Sequence, residues 1–145
     1  VGSKHFIREA RALRSTVLRH PPGHIQRTAA YFLSLGHYDA LIRRMGTAFH
    51  ERRLAMEDAF LQHGLAVAGQ GAFGGSSFWM RASARVDTEE VAERLRGKGV
   101  LIEPGRPFFT TEEAPKNYYR LAYSSLRMDK IADGVALIAS EMHEP

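Results

Sequence analysis

The sequence has no cysteine, which excludes disulfides, thiolate metal sites and cysteine nucleophiles and suits a reducing cytoplasm. It has no apolar run near the ~20 residues that a membrane-spanning helix needs. No secretory leader is legible either, because VGSKHFIREARALR sets charges where an apolar stretch would stand. An initiating methionine is also absent, so the chain is expected to be a piece of a longer protein. No H-E-x-x-H pair and no G-x-S-x-G elbow occur. His20 and His24 have i, i+4 spacing, but two prolines and a glycine between them prevent a shared helical face, so no metal site is expected. Internal repeats and low-complexity segments are missing as well.

What is present fits a single globular domain. The 145 residues are 44% hydrophobic and 25% charged, enough to bury roughly two-thirds of the unfolded surface. The net charge of +4 is unevenly spread: residues 1–53 hold ten Lys and Arg against three acids, and residues 54–145 hold ten against thirteen. Such asymmetry suits an acidic partner or a solvated helix surface, and Arg8, Arg11, Arg14 and Arg19 are spaced for the latter. No aromatic residues interleave them as in a single-strand-binding platform.

Three helices are expected first. Phe6, Ala10, Leu13 and Val17 recur at helical spacing between Ser3, a capping residue, and Arg19. HPPG at 20–23 ends that helix, a second runs over 24–35, and a third covers 37–63 with Tyr38, Ile42, Met45, Phe49, Met56 and Phe60 along one line. After Gly64 the period shortens. LAVA at 65–68 and SSFWMRA at 76–82 predict a hairpin, Asp87–Glu90 a capped helix closed by Gly97 and Gly99, and VLIEPG a buried strand. NYYRLAYS predicts a strand with Tyr118, Arg120 and Ala122 on one side and Tyr119, Leu121 and Tyr123 on the other. Ser124 and Ser125 are expected to start the last helix, over 128–142, whose stripe is Ile131, Val135, Ile138 and Met142. The class is α+β: a small, mainly antiparallel sheet with helices on one face.

Two features bear on chemistry. Gly69, Gly71 and Gly74 in GQGAFGG fit the spacing of a dinucleotide loop, but that loop must open a helix, and a β-rich segment follows here. A hairpin turn with glycine at positive φ is expected instead. Arg120 stands mid-strand among apolar and aromatic residues, where its charge calls for an anionic partner. Its planar fork suits a carboxylate, and an internal ion pair or a solvent-facing position satisfies the pattern equally well.

GHYDALIRRMGTAFHERRLAM, GVLIEPGRPFF and YYRLAYSSLRMDKIADGVALIA, in this order, resemble the C-terminal part of a fold-type-I, pyridoxal-phosphate-dependent aminotransferase domain. More narrowly they resemble the aminotransferase-like domain of MocR-type regulators of the GntR family, which join a winged helix-turn-helix domain to an aminotransferase-like one. The resemblance covers nearly the whole chain. It implies that residues 1–63 link the large and small domains and that 64–145 form the small C-terminal domain. It further implies that Arg120 grips a ligand's α-carboxylate and that Gly74 and Gly75 border the ligand. The cofactor's Schiff-base lysine, phosphate ligands and pyridine-nitrogen aspartate would lie upstream. Lys4 is unsuitable, since the family lysine is followed by a turn and a strand rather than by a helix. No cofactor is therefore expected on this chain alone, although the parent would bind pyridoxal phosphate. An amino-acid-like ligand, a homodimer, DNA held by a separate N-terminal domain and a cytoplasmic location are expected of the parent. The same region of a free class I/II aminotransferase is the alternative, and a basic helical nucleic-acid module a more distant one.

Overall fold

The computed structural model describes residues 2–69, 75–111 and 113–143. The chain divides into two compact units, Val1–Arg44 and Met45–Pro145. The first holds α1 (Lys4–Val17), α2 (Gly23–Ser34) and the opening turns of α3 (His37–His63). Ser3 caps α1 as expected, its hydroxyl accepting the Phe6 N–H at 3.2 Å. The chain leaves α1 through Arg19 at φ +52°, and the prolines that follow forbid a continued helix. No residue of α1 or α2 is buried, and the apolar side chains Phe6, Leu13, Val17, Ile25, Tyr31 and Leu35 stay exposed.

The second unit is built on a four-stranded antiparallel sheet in the order β1-β2-β4-β3, with β1 Ala66–Val67, β2 Ser77–Arg81, β3 Glu103–Pro104 and β4 Tyr118–Ala122. Strands β1 and β2 form the expected hairpin, with Ala66 opposite Arg81 and Val67 opposite Met80. The glycine segment thus leads into a strand, flanked by Gly69 at φ +82° and Gly75 at φ +99°. Gly71 and Gly74 lie outside the described residues.

Alternation assigns the two faces of the sheet. Phe78 and Met80 of β2, with Tyr119 and Leu121 of β4 and Tyr123 beyond it, are buried against Met56 and Phe60 of α3. Val91 and Leu95 of α4 (Thr88–Gly97) complete the core with Ile131, Val135, Ile138 and Met142 of α5 (Ile131–His143). The α5 stripe read from the sequence is therefore buried throughout. Phe60 and Phe78 meet edge to face, with centroids 5.1 Å apart. Each large apolar side chain taken from water in this way contributes roughly 1.5–3 kcal/mol.

Two expectations need correction. VLIEPG is not a buried strand: only Glu103 and Pro104 pair, at the sheet edge, and Leu101 is 74% exposed. Pro104 has no N–H to give a ladder, which confines it to such an edge. Ser124 and Ser125 do not cap the last helix. A single 3-10 turn (Met128–Lys130) precedes α5, its N-cap is Arg127 without a side-chain bond, and the Ser124 carbonyl instead accepts from Arg52 of α3 at 2.5 Å.

Candidate carboxylate site

On the sheet face opposite the core, β2 and β4 place Trp79 directly across from Arg120, and β3 places Glu103 on the other flank of Arg120. Trp79 stacks on Tyr118, with centroids 5.8 Å apart and planes 21° from parallel. Phe108 meets Trp79 edge-on at 5.4 Å, and Phe109 contacts both Trp79 and Tyr118. The Arg120 guanidinium carbon lies 5.4 Å from the Phe108 centroid, within cation–π range. The result is an aromatic wall with Arg120 at one edge and the exposed Arg81, across from Tyr118, on the same side of the sheet.

Local sequence explains why this face holds its shape. Gly105 follows Pro104 and turns the chain into a 3-10 turn, Arg106–Phe108, which carries Phe108 back over Arg120. The Gly105 N–H donates to the Tyr118 carbonyl at 2.7 Å, and a Cβ on Gly105 would lie 2.5 Å from that oxygen. Only glycine permits this approach. The Thr88 hydroxyl shares its one proton between that carbonyl, at 2.9 Å, and the Lys116 carbonyl, at 2.8 Å. Asp87, which caps α4 through the Glu89 N–H, pairs with Lys116 at 2.7 Å. That hydrogen bond holds the Asp87 carboxyl below its ordinary range and raises the Lys116 ammonium.

Arg120 has the carboxylate partner its position called for, and the partner is internal. Glu103 Oε2 accepts from Nε and Nη2 of Arg120, each at 2.5 Å. Both side chains are close to half exposed, at 42% and 48%. Gly75, the other expected site residue that is described, is not beside Arg120. It lies beyond the end of the β2–β4 ladder, four residues before Trp79, roughly 13 Å away at strand rise. There its carbonyl accepts the Tyr123 hydroxyl at 2.9 Å, and it helps line a cleft of about 530 Å³ with Gly46, Phe49, His50, Arg53 and Tyr123. Gly74 lies outside the described residues.

Sequence reasoning missed the partners of three charges. Glu141, on α5 and only 2% exposed, accepts from Arg94 Nε at 2.6 Å and from Lys98 Nζ at 2.5 Å. These bonds, Arg94's first, hold its carboxyl below the ordinary glutamate range. No short-range pattern flags such a cluster, because its members are 43 and 47 residues apart.

The pyridoxal phosphate implied by the sequence resemblance needs a lysine for its aldehyde. Within the second unit, Lys98 and Lys116 are engaged with Glu141 and Asp87, and Lys130 lies in the turn before α5. The face built by Trp79, Glu103, Phe108, Tyr118 and Arg120 itself holds no lysine.

No family model matches the chain. The chain is 60% identical over 139 residues to the HTH-type transcriptional regulator TauR of Rhodobacter capsulatus, which covers 96% of this chain and 29% of that protein. It is 28% identical over 143 residues to aromatic-amino-acid aminotransferase 1 of Thermococcus litoralis, covering 97% of this chain and 34% of the relative. Among solved structures, a multiple substrate aminotransferase from Thermococcus profundus superposes with a TM-score of 0.84 at 24% identity, over 97% of this chain and 35% of the other. The α-aminoadipate aminotransferase of Thermus thermophilus, solved with N-(5'-phosphopyridoxyl)-L-leucine, gives 0.82 at 24% identity, over 98% and 36%. The chain thus spans about a third of the relatives it matches. It has the fold of the corresponding part of an aminotransferase and, over most of its length, is similar in sequence to part of an HTH-type regulator, which fits the aminotransferase-like domain of a MocR-type transcriptional regulator.

Proposed function

We propose that this chain is the ligand-gripping part of an aminotransferase-like sensing domain in a GntR/MocR-type transcriptional regulator, and that Arg120 binds the carboxylate of an amino-acid-like ligand. The observation that supports the reading is Arg120 itself: a guanidinium 42% exposed on the face away from the core, beside an aromatic wall and held, among the described residues, only by a half-exposed glutamate. Trp79, Phe108 and Tyr118 offer apolar surface to the ligand's carbon skeleton, and Arg120 fixes its charged end. In this reading the rest of the parent supplies pyridoxal phosphate, so the chain has no catalytic activity alone. The parent works as a homodimer and reads DNA through a separate winged-helix domain, and ligand binding biases the placement of that domain by a shift between global states.

Titration of the full-length protein tests this. Arg120→Lys keeps the charge but loses the paired N–H donors, and charge-assisted hydrogen bonds are worth roughly 1.5–3 kcal/mol each. Affinity for an amino acid should fall about tenfold to a hundredfold while pyridoxal phosphate affinity stays level. Equal loss of both would make Arg120 a structural ion-pair residue. A second reading, the small domain of a free aminotransferase, draws on the likeness to the Thermococcus litoralis enzyme. A winged-helix domain in the parent reading frame separates the two.

A further inference from the structure

The partner of Arg120 has a consequence for the ligand. A carboxylate docking side-on to an arginine uses the Nε and Nη2 donors together. Glu103 Oε2 holds both of these donors, so an incoming carboxylate and Glu103 compete for one edge of one guanidinium. The other fork, formed by Nη1 and Nη2, shares Nη2 with Glu103, so a carboxylate seated there stands beside a like charge. The competitor is built to yield. Glu103 lies on the two-residue edge strand β3, half exposed, so its carboxylate can swing into water without burying charge. An ion pair at this exposure is worth little, which makes it displaceable rather than locked. The cross-strand register keeps Glu103 within reach at all times, so its local concentration does not fall when a ligand arrives.

We propose that Glu103 is an internal competitor for Arg120, a specificity-determining residue that sets the ligand concentration at which the carboxylate site fills. This rests on the reading of Arg120 as a carboxylate receptor. Loss of the Glu103 charge should strengthen ligand binding, whereas a residue that only orients Arg120 would weaken it when lost.

The chain carries its own reporter, because Trp79 is its only tryptophan and sits across from Arg120. Phenylacetate, a carboxylate on an aromatic ring, is the probe, and quenching or shift of Trp79 emission the readout. Four forms of the chain are titrated: the parent sequence, Glu103→Gln, Arg120→Lys and the double variant, with circular dichroism checking that each is folded. Glu103→Gln should tighten binding about twofold to fivefold, which corresponds to about 0.4–1 kcal/mol. The gain should vanish in the double variant, which separates direct competition from the general pull of a less acidic surface on an anion. Binding that is unchanged or weaker in Glu103→Gln while Arg120→Lys loses affinity overturns the competitor and leaves the carboxylate reading intact. A gain that persists without Arg120 also overturns it. Equal affinity of Arg120→Lys and the parent sequence removes the carboxylate reading itself.

Discussion

Replacing Gly105 by alanine tests whether the site face depends on the close approach of β3 to β4. An added Cβ would sit 2.5 Å from the Tyr118 carbonyl oxygen and 2.8 Å from its carbon and Cβ, against an ordinary contact of 3.4 Å or more. Two of these atoms are backbone, and the oxygen is held from two directions, by the Gly105 N–H and by Thr88. The overlap therefore cannot be relieved by a rotamer change. Opening the gap by about 0.9 Å would carry the 2.7 Å Gly105–Tyr118 bond beyond hydrogen-bond distance. Overpacking of this kind costs roughly 1–3 kcal/mol and the lost bond about 0.5–1.5 kcal/mol, so Gly105→Ala should destabilise the fold by about 2–4 kcal/mol. Urea unfolding followed by Trp79 emission reads this directly, since Trp79 lies on the affected face. With a urea dependence of about 2 kcal/mol per molar, the midpoint should drop by about 1–2 M with the slope unchanged. A midpoint within about 0.2 M of the parent sequence would show that β3 moves aside freely and that Gly105 does not hold Glu103 and Phe108 against Arg120.

Other perturbations address other parts of the molecule. Glu141 has a depressed carboxyl, so the stability it contributes is present above the ordinary value of 4.5 and is lost as pH falls through the lowered one. Glu141→Gln should be less stable at neutral pH and lose that part of the acid limb, and an identical pH–stability curve would refute the role of Arg94 and Lys98. Thr88→Val should cost only about 1 kcal/mol in thermal or urea unfolding, because both carbonyls it serves keep a backbone donor, from Thr88 and from Gly105. A loss above about 3 kcal/mol would mean those backbone bonds depend on the hydroxyl. The exposed apolar side chains of α1 and α2 should make the chain self-associate in sedimentation, and Leu13→Glu with Tyr31→Glu should reduce it. A chain monomeric at high concentration before substitution would refute this.

What the sequence made legible was local. The two faces of β4, the α5 stripe and the caps at Ser3 and Asp87 follow from alternation, helical period and side-chain chemistry within a few residues, and each is found in the structure. Arg120 was legible as a cation needing a carboxylate, but Glu103 was not legible as its partner. That pairing depends on β3 lying beside β4 in one particular register, information spread over 17 residues with a turn between them. VLIEPG misled because an apolar run signals burial, whereas Pro104 and Gly105 convert the run into an edge. The stripes of α1 and α2 announced helices correctly and said nothing of what covers them. The fold itself was reached through motif resemblance more than through pattern.

The bonds made by Asp87 and Thr88 act as a weld between two distant stretches of chain. One side chain ties the start of α4 to the Lys116 ammonium, and the other to two carbonyls on the way into β4. Helix and strand are pinned to each other at the point where the intervening connection returns. The chain is consequently fixed on both sides of its passage from Phe108 to Lys116, by Phe108 against Trp79 and by Lys116 against Asp87. Extending such a connection costs little, about 0.6 kcal/mol for each doubling of length. This is where the chain can accept an inserted peptide, such as a tag, a fluorophore site or a natural extension, while Arg120 stays in place.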